Sequence, residues 1–246
     1  MFKTFLTALA LALATPAAAQ TIDRSEVESI VRDYLLANPE IISEMQQALE
    51  VKQAAEAEAR AKQAIVEYRD DIFASANQGY AGAKDGDVTI VEFFDYNCGY
   101  CQRAMQDMNT LIEGDDQLKF VLKELPILGP GSAEASRIST AVYRLHPDRY
   151  AEFHNRLLGI PVAKDGAVAR QIARDMGFDM EPLEAEAAKD DVIDAFREAN
   201  GLANALGING TPSYVIGDEV VFGALGADVL RQKVANMRAC GSTECS

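Results

Sequence analysis

No lysine or arginine cluster stands out in this chain, which carries 38 acidic side chains against 23 basic ones. A surface so short of positive charge is a poor match for nucleic acid or an anionic membrane, and it reads instead as soluble and self-repelling. Histidine is nearly missing: His146 and His154 are the two in 246 residues, and their spacing is not that of a zinc finger. Nor does any apolar run reach the ~20 residues that a spanning helix needs. The run at residues 5–14 follows Lys3 and precedes Pro16, Ala17, Ala18 and Ala19. That order of charge, apolar run and small residues is a cleavable secretory leader, residues 1–19, with a mature start near Gln20. Cysteine is scarce as well, four in all. In an exported and therefore oxidising setting, an even number of cysteines points to redox or structural disulfides rather than to metal ligands.

What is present centres on residues 88–102, VTIVEFFDYNCGYCQ. The β-branched and aromatic run Val88, Ile90, Val91, Phe93, Phe94 predicts a buried strand, and Asp95, Tyr96 and Asn97 predict a turn. Cys98 and Cys101 follow with two residues between them, then a helical pattern through Met105, Met108, Leu111 and Ile112. A cysteine at the start of a helix meets unpaired backbone N–H groups and the positive end of the helix dipole, which favour thiolate over thiol. The second cysteine, one turn on, is placed to close a disulfide with the first. Half of a zinc site would read the same locally, but the other half is missing. A purely structural disulfide would not need a strand-to-helix junction. The expected chemistry is dithiol–disulfide exchange.

Upstream, Ser25 with Val27, Ile30, Val31, Tyr34 and Leu35 predicts a capped helix with an apolar stripe. Asn38 and Pro39 interrupt it, and Ile41, Ile42, Met45 and Leu49 continue the stripe. The following stretch is rich in alanine and charge, strongly helix-forming but with little to bury until Ile65, Val66, Tyr68, Ile72 and Phe73. Helices of this kind are marginal alone, so residues 20–72 read as a helical oligomerisation arm rather than as helices folded back on the globular part. Residues 73–87, glycine-rich and polar, read as a linker. Beyond the cysteines, residues 118–122 predict a second strand, residues 131–207 a helical block, and residues 212–216 and 219–222 a hairpin turning at Gly217 and Asp218. A last helix is expected over 227–237. Strands flanking a helical block predict an α/β domain over 88–246 with an inserted helical subdomain. Cys240 and Cys245, with no strand-to-helix context around them, read as a structural disulfide pinning the tail rather than as a second redox centre.

The motif EFFDYNCGYC, followed far downstream by Gly210, Thr211, Pro212 and Ser213, resembles the DsbA-like family of exported thiol–disulfide oxidoreductases. The arm, with its YLLANPEII stretch, is similar to the N-terminal extension of the oligomeric ScsC-like or Com1-like members. The resemblance implies a thioredoxin fold with an inserted helical subdomain and a periplasmic location. It also implies protein substrates with cysteines, a membrane thiol reductant of the DsbD type as electron donor, a homotrimer through the arm, and no cofactor or metal. It makes Cys98 the exposed nucleophile, Cys101 the buried resolving cysteine, and Thr211–Pro212 the cis-proline loop that presents backbone to a client peptide. Glu92, six residues before Cys98 among apolar neighbours, stands where the family carries a buried acid able to take the Cys101 proton. An edge-exposed strand carboxylate is the other reading of Glu92; Lys123, in the neighbouring strand, is a candidate partner for Glu92.

Between the cysteines this chain has Gly99 and Tyr100, where monomeric oxidases carry Pro-His. That resembles the DsbC-type isomerases, as does the threonine before the proline. Without the histidine, the expected Cys98 thiol is less acidic and the disulfide less oxidising. Tyr100 is either a client contact or simply an apolar neighbour of the site. The resulting expectation is an isomerase or reductase. The alternatives are a DsbA-type oxidase and a chaperone-like or copper-handling binding protein.

Overall fold

The computed structural model describes residues 23–245, so the expected leader at 1–19 lies outside the described residues. The chain divides between Lys52 and Gln53 into two compact units.

In the first unit, α1 spans Arg24–Ala37. Its cap is Asp23 rather than Ser25: the Asp23 carboxylate accepts from Ser25 N at 3.3 Å and from Ser25 Oγ at 2.7 Å, satisfying a donor the helix cannot pair. Asn38 closes the helix by donating both its backbone and side-chain N–H groups to Tyr34 O. After Pro39, α2 runs Glu40–Glu67. No residue of α1 is buried. Ile30 and Tyr34 are each 60% exposed, and Leu36, Ile42 and Met45 are more so.

The second unit is built on a sheet of order β1-β3-β2-β4-β5: Gly79–Gly82, Val88–Phe94, Leu118–Glu124, Ser213–Ile216 and Glu219–Phe222 are β1 to β5. Strands β2 and β3 run parallel, joined by α4 (Gly99–Gly114), and the other pairs are antiparallel. Between β3 and β4 lie α5 (Pro130–Leu145), α6 (Tyr150–Gly159), α7 (Gly166–Asp175), α8 (Met180–Ala187) and α9 (Asp194–Leu206), and α10 (Ala227–Cys240) ends the chain. This is the thioredoxin fold with a helical insertion. Strand alternation divides the core into two layers. Ile90, Phe94, Phe120 and Leu122 face α4, the insertion and α10. Val91, Phe93, Val121 and Val215 face Ile65, Ile72, Leu202 and Leu206.

Two boundaries differ from the sequence reading. The arm expected to reach residue 72 gives way at Lys52, because Ala64 and Ile65 of α2 and Ile72 of α3 (Arg69–Phe73) belong to the second core layer. The stretch 73–87 is not a plain linker: it holds β1, paired with β3 from Gly79↔Leu122 to Gly82↔Lys119. Its glycines are a packing requirement, since a Cβ on Gly79 would stand 2.0 Å from Tyr150 Cε1.

Lys123 is not the partner of Glu92. In the β2–β3 register Glu92 sits opposite Leu122 while Lys123 sits opposite Phe93, so the two side chains leave opposite faces of the sheet. The fully buried Lys123 ammonium instead donates to Glu198 Oε1 at 2.9 Å and to Asp71 O at 2.7 Å, tying α9 and α3 to the sheet. Removing one member of such a pair strands the other charge. Glu198→Ala is therefore expected to lower the unfolding free energy by about 3 kcal/mol, and Lys123→Met by clearly less, in urea titrations.

Candidate active site

Cys98 is the N-cap of α4, with extended backbone (φ −79°, ψ 116°), and Gly99, Tyr100 and Cys101 form the first turn. The turn before it is held from several sides. Asp95 is 1% exposed and accepts from Asn97 N at 2.8 Å, Leu128 N at 2.9 Å and Ser132 Oγ at 2.7 Å. Asn97 donates to Ser132 Oγ and to Lys164 O, and accepts from Lys164 N at 2.7 Å. One turn into α4, Gln102 donates to Leu158 O at 2.8 Å. The insertion thus fixes where the helix begins. Sequence reasoning missed these residues: Asp95-x-Asn97 is a turn signal, but Ser132, Lys164 and Leu158 are distant in the chain and carry no local mark.

Facing the cysteines is the loop before β4, where the Thr211–Pro212 peptide bond is cis. Cys98 Sγ lies 3.1 Å from Thr211 O, to which it donates when it carries its proton. Both Cys98 and Cys101 are free; Cys101 is fully enclosed, and Cys98, expected to be exposed, is only 7% exposed because the Thr211 loop packs against its sulfur. Their acidities are driven apart. A hydrogen bond from Cys101, with others from Thr211 and from the Cys101 and Tyr100 backbone, outweighs burial and holds the Cys98 thiol at about 5. That lies between the about 3.5 of DsbA and the about 7 of thioredoxin. Burial, the bond it gives to Cys98 and the nearby Glu92 charge push Cys101 far up. One sulfur is a thiolate at neutral pH, and the other keeps its proton.

Glu92 is 2% exposed on the face of β2 toward α4. Burial first, then the negative charges of Cys98 and Asp107, push its carboxyl up to about 8, and its Oε2 has no hydrogen-bond partner among the described residues. Tyr100 stands out at 61% exposed, with the Arg103 guanidinium 4.4 Å over its ring. A separate buried group, also missed, lies behind the turn. Glu124 Oε1 accepts from Ser139 Oγ at 2.6 Å and from Tyr150 OH at 3.2 Å, while Tyr96 OH meets Ser139 Oγ at 2.6 Å. Cys240 and Cys245 lie apart from all of this at the end of α10, joined to each other in a disulfide.

A thiolate and a protonated thiol one helical turn apart, beside the Thr211 carbonyl of a cis peptide bond, can exchange disulfides. The DSBA-like thioredoxin domain family matches residues 89–235, and the N-terminal domain of the copper resistance protein ScsC matches residues 23–56. The chain is similar to Disulfide bond formation protein D of Bacillus subtilis, at 24% identity over 167 residues, 64% of this chain and 75% of that protein. Among solved structures it is similar to a thioredoxin-like oxidoreductase from Silicibacter pomeroyi, at 37% identity and a TM-score of 0.66 over 70% of this chain and 98% of that one. It is also similar to Proteus mirabilis ScsC in a transitional conformation, at 30% identity and a TM-score of 0.66 over 92% of this chain and 99% of that one. Both the paired sulfurs and the helices before them are thus accounted for together: the chain belongs to the DSBA-like thioredoxin family, in its ScsC-like branch, and is a thiol–disulfide oxidoreductase.

Proposed function

We propose that this protein is an exported, periplasmic disulfide isomerase or reductase that works through Cys98 on misfolded or wrongly oxidised proteins. The observation that carries the reading is the split between the two sulfurs, Cys98 held at about 5 and Cys101 pushed far up. In the reduced protein, the Cys98 thiolate attacks a client disulfide. One client sulfur joins Cys98, and the other leaves as a thiolate. Cys101 is protonated and cannot attack at once, which leaves time for a different client thiolate to attack the client sulfur held by Cys98, forming a new client disulfide and releasing the Cys98 thiolate.

When reshuffling fails, Cys101 resolves the mixed disulfide, and Glu92 is the base that takes its proton. The timing follows from electrostatics. The Cys98 charge is among the causes that keep the Glu92 carboxyl protonated, and that charge vanishes once Cys98 is bonded to a client. Glu92 therefore becomes easier to ionise at the step that needs a base. Cys101 then attacks Cys98 Sγ, the bond to the client breaks, and a client thiolate departs. The Cys98–Cys101 disulfide that remains needs an external dithiol to reduce it, and a membrane reductant of the DsbD type fits that role. Thr211 and Pro212 line the path of the client backbone, with Tyr100 as a side-chain contact beside it. The exposed stripe of α1 supports assembly through the arm into a homotrimer, which sets several sites around one client.

An observation on the side of a general oxidase is the same acidic thiol, because stabilising the reduced form makes the disulfide more oxidising. Two refolding assays separate the readings. Scrambled ribonuclease is expected to regain activity faster with the reduced protein than reduced ribonuclease does with the oxidised protein. The opposite order would establish an oxidase.

A further inference from the structure

Tyr214 lies in β4 directly opposite Glu92 of β2, on the same face of the sheet. Cross-strand partners of this kind have Cβ atoms about 5 Å apart, within reach of each other's polar ends. Tyr214 is 1% exposed, and its hydroxyl, like Glu92 Oε2, has no hydrogen-bond partner among the described residues. Buried polar atoms without partners are rare, and here two sit on facing positions of one strand pair, beneath the active-site helix. The same space is shared with both cysteines: the charges that act on the phenol are those of Glu92, Cys101, Asp107 and Cys98, in that order after burial.

We propose that Tyr214 is a positioning residue for thiol–disulfide exchange, whose hydroxyl donates a hydrogen bond to the Glu92 carboxylate when Glu92 ionises and so sets the pH at which Glu92 can accept the Cys101 proton. The inference rests on the reading of Glu92 as the base for Cys101.

The chemistry of the two groups makes the assignment directional. Burial and the surrounding negative charge push the Tyr214 phenol well up, so it keeps its proton and serves as a donor throughout. An ionised carboxylate is acceptor-only and, once buried, requires donors. The groups facing Glu92 offer few. From α4 come Cys98, Cys101 and Asp107, and from β3 Leu122; α10 adds only the apolar Leu230 and Val234 to the core layer on this side of the sheet. Glu124, two residues further along β3, is engaged with Ser139 and Tyr150. No cation is among the causes acting on Glu92, so the charge it acquires during resolution has no counter-ion there among the described residues. A phenol placed across the strand supplies the missing donor. The proton taken from Cys101 stays on Glu92 until solvent removes it.

The test is a single-turnover reaction of the reduced full-length protein with a peptide disulfide, quenched in acid at a series of pH values between 6 and 9, with mixed disulfide and final product counted by mass. In the unaltered protein, the resolution rate should rise with pH through one midpoint. Tyr214→Phe keeps the ring and removes only the hydroxyl. It is expected to raise that midpoint by about one unit and slow resolution at pH 7 about tenfold, the effect of one lost hydrogen bond to a charge. Formation of the mixed disulfide should be unchanged, and adding Tyr214→Phe to Glu92→Gln should give no further slowing. A purely structural tyrosine would slow both backgrounds alike and leave the midpoint where it was; that result overturns the proposal. If mixed disulfide through Cys98 never forms in the unaltered protein, it is the proposed function that fails, and the proposal falls with it.

Discussion

Cys98→Ser is expected to lower the rate of disulfide reduction by at least about a thousandfold, because a hydroxyl in that position is neither ionised nor a competent attacker of sulfur. The corresponding measurement on the unaltered protein is the pH dependence of iodoacetamide modification at Cys98, followed by mass. With the thiol held at about 5, modification should be at its plateau by pH 7 and fall tenfold per unit below the midpoint. Cys101 should remain unmodified across the range, since it is enclosed and its thiol is pushed far up. A midpoint near that of a free thiol would remove the basis of the assignment. The acidity also has a signature in stability. A thiol whose value drops from 9.0 when unfolded to about 5 when folded contributes stability that is fully present above pH 9 and lost as pH falls through 5. Glu92, raised from 4.5 to about 8, has the opposite sign over an overlapping window: the stability of keeping it protonated is lost as pH rises toward 8. In the oxidised protein only the Glu92 contribution of the two survives. The reduced form should therefore gain on the oxidised form, in denaturant midpoints, as pH climbs from 5 to 9.

What the sequence disclosed follows the range over which each feature is encoded. The β2 strand, the turn and the head of α4 are local: apolar alternation, Asp95-x-Asn97 and the two cysteines stand within one short stretch, and the structure assembles them in that order. Strand β1 was hidden because glycine, a poor strand former, is what the Tyr150 ring admits at position 79. Pairing Lys123 with Glu92 failed on parity, which only the β2–β3 register reveals. The same holds for Tyr214, whose meaning comes from being opposite Glu92 and not from anything in GTPSYVIG itself. Asp95, Ser132 and Lys164 form one network from three distant segments, and no spacing rule joins them. The arm is the converse case. Its amphipathic stripe was plain, but its end was not, because the alanine-rich stretch gives no sign of where packing against the sheet begins.

Ile30→Glu combined with Tyr34→Glu is expected to reduce the protein to single chains by light scattering. The two residues are one turn apart on α1, each is 60% exposed, and α1 buries none of its side chains. Val27, Val31 and Leu35 extend the same apolar surface, and a patch of that kind on a thin helical unit is stable only if something covers it. In the proposed assembly, copies of this chain are the cover. Burying an apolar side chain contributes about 1.5–3 kcal/mol, so the two changes should remove about 4 kcal/mol per protomer, roughly a thousandfold in association, before any cost of enclosing the new charges. Both substitutions lie in the first unit, so Cys98 modification and the reduction of a small peptide disulfide should keep their rates. Ribonuclease unscrambling should fall, because it draws on several thiolates held near one client at high effective concentration. If the altered chains kept the assembled mass, the stripe would not be the interface. If they dissociated yet unscrambled ribonuclease at the original rate, assembly would have no part in isomerisation, and a single Cys98 would be sufficient for it.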